Sequence, residues 1–232
     1  MNKYEIIKRI EEFAPPQLAE DWDASGWIVE TNRREINKIM LCLTVTEDII
    51  RQAKSQNCEM IISHHPLFSI NYHSELFSES LQPCIDIYCA HTNLDRTNGG
   101  TTDTLIAALG FEISQTENFL RYVDKTLSVE ELKNLLLKIS PNLRYVNNKK
   151  VKTLNKIAFC AGSGSEFIEE ALSNGADALV TGDVKFHTAL ESPMVIFDIG
   201  HFESEILVLQ VFEKLLADVE TIRADEKSPF IY

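Results

Sequence analysis

The chain has 232 residues, 44% of them hydrophobic and 25% charged, enough to bury a core as one large domain or two smaller lobes. Its formal charge of -13 argues against a nucleic-acid surface, because phosphate binding needs clustered Lys and Arg to displace counterions, and no basic stripe is visible. The apolar runs are short and broken by polar residues, and Met1 to Glu5 lead straight into an amphipathic pattern. Neither a membrane span nor a signal peptide is therefore expected, and the expected location is the cytoplasm. Cys42, Cys58, Cys84, Cys89 and Cys160 are odd in number and lack CxxC spacing, so they read as reduced core residues.

Asn2 is placed to cap a first helix with Ile6, Ile7, Ile10 and Phe13 on one stripe, ended by Pro15-Pro16. The acidic, aromatic stretch from Leu18 to Trp27 is too irregular for a helix and too apolar for a free linker. Ile36 to Val45 reads as a strand, Glu47 to Ser55 as a helix, and Glu59 to Ser63 as a second strand. That strand runs into His64-His65-Pro66, where proline stops regular structure. Adjacent strand residues point to opposite faces, so both imidazoles are expected to reach one site only where the strand has ended. A polar loop around Asn71-Tyr72-His73 follows, with His73 read as solvated. Ile85 to Ala90 is a strand ending in His91-Thr92-Asn93-Leu94-Asp95, and Gly99-Gly100 opens a helix to about Leu109, with Gly110 as its cap. Phe119 to Val146 holds a strand, a helix starting near Ser128 with Glu131 as capping-box partner, and a further strand. The polar turn Asn147 to Lys150 is the expected lobe boundary, giving lobes 1–146 and 147–232 that can interdigitate. Ile157 to Ala161, a helix from Ser165 to Ser173, Ala178 to Thr181, a short helix near Lys185, Val195 to Asp198 and a last helix from about His201 complete the chain.

An internal repeat organises these elements. Lys38 to Cys42 aligns without gaps on Lys156 to Cys160, and the register holds through Ala53 with Ala171, Glu59 with Asp177, and Ser63 with Thr181. His64-His65 then falls opposite Gly182-Asp183. His91 to Asp95 corresponds to His201 to Glu205, each a histidine with an acid four residues on. Generic strand-helix-strand composition could give part of this match. Two related lobes whose strand ends converge on a central metal cleft are the alternative, and the fold class expected is α/β.

If the strand ends converge, His64, His65, Asp95, His201 and Glu205 meet. His64 and His65 alone would equally suit a solvated loop; the other residues decide. On a helix, positions four apart share a face, so His201 and Glu205 can chelate together. Three imidazoles and two carboxylates suit Zn, Mn, Fe or Co, and five donors fit two divalent ions per chain rather than one tetrahedral ion. Water at such a centre loses a proton near neutral pH, so hydrolysis is the reaction class that follows. His91 and His187 are the nearby acid–base candidates. His91 reads first as a hydrogen-bonding residue beside the ligands, and His187 as a wall of the site or a helix-packing residue. Lys185 could bind an anion or sit on the surface, and Glu203 could be an exposed acid at a helix start. Gly162-Ser163-Gly164-Ser165 could cradle a phosphate but lacks the Gly-Lys-Ser/Thr ending of a P-loop.

Five stretches together resemble the GTP cyclohydrolase 1 type 2 homologue family, also described as Ngg-interacting-factor-three-like proteins. They are Pro16 to Trp27, Ser63-His64-His65-Pro66-Leu67-Phe68, Ala90 to Asp95, Thr181 to His187 and Gly200 to Glu205. The resemblance implies two α/β lobes, a dinuclear metal centre and a ring-shaped homohexamer. It carries the ligand roles to His64, His65, Asp95, His201 and Glu205, with Glu205 bridging both ions. It also implies a small-molecule substrate, by name a nucleotide whose base is opened by water. A phosphoesterase or other amidohydrolase would use the same centre, and a metal-binding or regulatory scaffold would turn nothing over. The chain departs from the family at Ala24-Ser25, where Asn-Val is usual, and at Thr44, where an aspartate commonly ends the first central strand. The domain that longer members insert between the lobes is not expected here.

Overall fold

The computed structural model describes residues 1–66 and 85–230; the expected loop around Asn71-Tyr72-His73, with Leu67, Phe68 and Cys84, lies outside the described residues. The chain divides into two compact units. One comprises Met1–Gly100 with Leu209–Lys227; the other comprises Thr101–Val208 and the end of the chain from Ser228.

The first unit is built on a five-stranded sheet. In chain order its elements are α1 (Lys3–Phe13), β1 (Gly26–Val29), β2 (Lys38–Thr44), α2 (Glu47–Ser55), β3 (Met60–His65), β4 (Asp86–Cys89) and α3 (Thr92–Arg96). The sheet order is β1-β4-β3-β2 with a last strand from residues 220–223 beside β2; β2, β3 and β4 run parallel and β1 runs antiparallel at the edge. Continuous apolar sequence such as Lys38-Ile39-Met40-Leu41-Cys42-Leu43-Thr44 forms a strand because both of its faces are covered. Met40, Cys42 and Ile61 pack with Ile49, Ile50 and Ala53 of α2 on one face. Each of the Ile and Met side chains among them contributes about 1.5–3 kcal/mol by leaving water. α2 starts where expected because the Thr46 side chain accepts from the Ile49 N–H.

The second unit has a six-stranded sheet. Its elements are α4 (Thr101–Ala108), β5 (Gln115–Glu117), β6 (Leu120–Ser128), α5 (Val129–Leu136), β7 (Arg144–Val146), β8 (Thr153–Phe159), α6 (Ile168–Ser173), β9 (Ala178–Thr181), α7 (Phe186–Glu191), β10 (Val195–Asp198) and α8 (His201–Glu205). The order is β5-β6-β8-β9-β10-β7, with β8, β9 and β10 parallel. Ser128 and Glu131 form the expected capping box at α5. The chain then returns to the first unit through α9 (Leu209–Leu215) and β11 (Glu220–Arg223), which pairs in parallel with β2.

The repeat holds strand by strand. β2 pairs with β3 through Ile39 opposite Met60, and β8 pairs with β9 through Ile157 opposite Ala178; the repeat aligns both members of each pair. Each parallel triplet is flanked by an antiparallel strand beside its third member, β1 on β4 and β7 on β10. The turn at 147–150 is not a boundary between units: it links β7 and β8, which belong to one sheet, and the division falls at Gly100. A polar turn marks the end of a strand, and nothing in its composition says whether the next strand joins the same sheet. The four described cysteines, Cys42, Cys58, Cys89 and Cys160, are buried and free as expected. No helix among the described residues is long and apolar enough to cross a membrane.

Candidate metal centre

In each unit, chemistry-bearing side chains gather at the carboxyl ends of parallel strands, the usual place for ligands in such sheets. In the first unit β3 continues through both histidines rather than stopping before them. Its ladder with β4 ends at Ser63 opposite Cys89, while that with β2 runs on to His65 opposite Thr44. His64 and His65 therefore occupy the last, one-sidedly paired positions. There their rings approach to 4.9 Å between centroids, and both are buried.

The hydrogen bonds of these rings bear on which nitrogen could bind an ion. His64 Nδ1 lies 2.9 Å from the Ala90 carbonyl oxygen, which can only accept, so the neutral ring carries its proton on Nδ1 and its lone pair on Nε2. That Nε2 is 3.5 Å from Asp95 Oδ1. His65 Nδ1 lies 2.7 Å from the Thr44 hydroxyl. His91 joins them: its ring centroid is 5.2 Å from that of His64 and 5.5 Å from that of His65. One nitrogen from each of the three rings falls within 4.8 Å of the others.

Asp23 holds His91 in place. The His91 Nδ1–H donates to Asp23 Oδ1 at 2.8 Å, while the Ser25 hydroxyl, the Thr92 hydroxyl and the Thr92 N–H all donate to Oδ2. Burial by itself would raise the Asp23 pKa, but the bonds from His91, Ser25 and Thr92 together outweigh it and hold the carboxyl well below the usual range. The irregular stretch before Trp27 is thus a clamp on the turn that carries His91 and Asp95.

In the second unit the i,i+4 pair forms as expected, with His201 Nε2 3.0 Å from Glu205 Oε2. The other ring nitrogen, Nδ1, lies 2.7 Å from Asp183 Oδ2. Burial would lower the His201 pKa, but Glu205 first and Asp183 second override it and push it up to about 9. Glu205 is buried, and the backbone makes room for it. A Cβ on Gly162 would stand 2.2 Å from Glu205 Oε1, and Gly162 has φ +70°. The Gly-Ser-Gly segment therefore serves to admit a carboxylate, which disfavours the phosphate-cradle alternative.

Not every expected residue joins these groups. His187 is exposed on α7 with its ring against Phe186, and it belongs to no cluster of possible metal donors among the described residues. Lys185 is exposed, and Glu203 is half-buried at the start of α8. Conversely, the sequence alone assigns no role at the metal site to Asp23, Thr44 or Asp183. The signals were present: Asp23 lies in a motif of the family resemblance, and the repeat sets Gly182-Asp183 opposite His64-His65.

These donor atoms could hold a metal ion. Two ligands of one tetrahedral ion at about 2.0–2.1 Å lie roughly 3.3 Å apart, and the separations in the two units, 3.5 Å for His64 with Asp95 and 3.0 Å for His201 with Glu205, bracket that value. Rings held through the nitrogen opposite the ligating one are typical of metal-binding histidines.

A family model described as Duf34/NIF3 (NGG1p interacting factor 3) matches residues 1–229. The GTP cyclohydrolase 1 type 2 homolog of Clostridium perfringens is 36% identical over 261 residues, covering 99% of each chain. That of Campylobacter jejuni is 32% identical over 246 residues and covers 100% of both. Among solved structures, reduced HcgD from Methanocaldococcus jannaschii has a TM-score of 0.85 at 27% identity, covering 97% of this chain and 98% of its own. The protein ybgI has a TM-score of 0.88 at 22% identity, covering 99% and 100%, a likeness of fold.

Proposed function

On the premise that the chain belongs to the Duf34/NIF3 family, we propose that it is a hydrolase dependent on two divalent metal ions, held by His64, His65, Asp95, His201 and Glu205. The observation that carries this reading is the recurrence of donors at the carboxyl ends of equivalent strands. The turns after β4 and β10 each open with a histidine and carry an acid four residues later, His91 with Asp95 and His201 with Glu205. Mixed imidazole and carboxylate donors suit Zn, Mn, Fe or Co. When bound, such ions supply the Lewis acidity that hydrolysis needs.

The chain's own residues do the rest. The Ala90 carbonyl keeps His64 Nε2 available as a donor, and the Thr44 hydroxyl orients His65. Asp23 keeps the His91 proton on Nδ1, so that Nε2 can take a proton from a reacting water; His91 is the acid–base group of this reading. His187, exposed on its helix, is the second choice for that role. The substrate is a small molecule. The names of the relatives favour a nucleotide whose base is opened by water, with a phosphoester or another amide as competing substrates of the same centre. The homohexamer and the cytoplasmic location belong to this reading, the first through the family resemblance alone, and light scattering tests the assembly.

The test is metal analysis of the purified protein followed by a screen of nucleotides and phosphoesters with His65→Ala and Glu205→Ala beside the unaltered chain. Two ions per chain, with turnover that both substitutions abolish, support the proposal. Turnover indifferent to both substitutions removes it, and tight metal without turnover on any substrate assigns the chain to the metal-binding scaffolds.

A further inference from the structure

The residue that ends β2, Thr44, touches His65 through its side chain, and its backbone is held by a group 182 residues away. β11 stops at Arg223, opposite Leu41, so beyond Leu41 the β11 side of β2 has no strand partner. The tail supplies a substitute. Ala224 N–H still donates to the Leu41 carbonyl, and Asp225 is fixed at both its N–H and its carbonyl by the Gln52 side chain. The Glu226 carboxylate then accepts from Leu43 N–H at 2.5 Å and from Thr44 N–H at 3.3 Å.

We infer that Glu226 is a positioning residue for the metal centre: by clamping the end of β2 it sets Thr44, and Thr44 sets the ring of His65. The geometry supports a directed role rather than general packing. Thr44 and His65 are register partners on adjacent parallel strands, so their side chains share a face. The hydroxyl sits 2.7 Å from Nδ1, where it can accept the ring proton and leave Nε2 as the donor atom toward metal. A frayed strand end would let the hydroxyl move and free the ring to rotate or change tautomer. The carboxylate lies behind the hydroxyl, so it acts on the ring through Thr44 rather than by touching it. The inference rests on the proposal that His65 is a ligand, but its consequence for the ring exists without metal.

The experiment compares the unaltered chain with E226A, T44V and the double variant, by calorimetric titration with Mn²⁺ and by NMR of the His65 ring nitrogens in metal-free protein. E226A and T44V are each expected to weaken Mn²⁺ binding about tenfold, and the double variant no more than the weaker-binding single, because both act on one ring. In metal-free E226A the His65 nitrogens move away from the Nδ1-protonated pattern, while those of His64, anchored on Ala90, stay. A lowered melting temperature with unchanged Mn²⁺ affinity and unchanged His65 nitrogens overturns the inference, and so do additive losses in the double variant. If the unaltered chain takes up no Mn²⁺, the metal reading fails and the His65 nitrogens alone decide the role of Glu226. E226Q keeps one acceptor and replaces E226A should that variant not fold, with a smaller shift in the same direction.

Discussion

Substituting Gly162 by alanine tests the donor pair of the second unit, His201 and Glu205, with two independent penalties. The residue has φ +70°, so a side chain there costs about 1–2 kcal/mol in backbone strain. The new Cβ would also stand 2.2 Å from Glu205 Oε1 and 3.2 Å from its Cδ. An ordinary contact needs roughly 1 Å more, and metal ligation tolerates shifts of only about 0.2 Å. The carboxylate is buried, so it has little free space to yield into and must turn away from His201 Nε2, which now lies 3.0 Å from Oε2. Three measurements follow. The melting temperature of Gly162→Ala should fall by about 2–8 °C, and its affinity for Mn²⁺ should drop at least tenfold. In metal-free protein the His201 pKa, about 9 when Glu205 faces it, should move down toward the ordinary 6.5, with Asp183 preventing a complete return. NMR titration of the His201 ring reads this directly. A variant whose His201 titrates at an unchanged pH and whose Mn²⁺ affinity stays within twofold would refute the steric argument.

Two further outcomes follow from the same geometry. His201 has a folded-state pKa of about 9, above the ordinary 6.5. Its protonation therefore stabilises the metal-free protein fully below pH 6.5, and that stabilisation fades as pH rises through about 9. Metal must displace this proton, so apparent affinity should climb over the same window, and calorimetry in buffers of different ionisation enthalpy should detect the released proton. Asp23→Asn removes a charged acceptor shared by His91, Ser25 and Thr92. The expected loss is about 2–3 kcal/mol at pH 7, from replacing bonds to a charged group by weaker ones. Because the Asp23 pKa is depressed in the folded state, the stabilisation is present above its ordinary 3.8 and is lost as pH falls below it. Denaturant titrations should show a smaller difference between the two proteins at pH 3 than at pH 7; a difference that does not shrink at acid pH would contradict the assignment.

Local sequence determined the elements and, through the repeat, their equivalence. Thr46 and Ser128 cap helices where their patterns start, and uninterrupted apolar runs such as Ile39 to Leu43 become strands buried on both faces. The repeat also carried histidine and acid to the matching turns after β4 and β10, and spacing of four on one helical turn is a local property. What the sequence left open depends on groups far apart along the chain. β11 has only four residues and an unremarkable composition, and it becomes a strand because β2 offers it an open edge. The turn at 147–150 looks like a boundary until the pairing of β7 with β10 and of β8 with β9 places its two flanking strands in one sheet. Asp23 lies 68 residues from His91, and Glu226 lies 183 residues from Leu43. A carboxylate's role is set by which donors face it, and only the folded chain brings those donors within hydrogen-bonding distance.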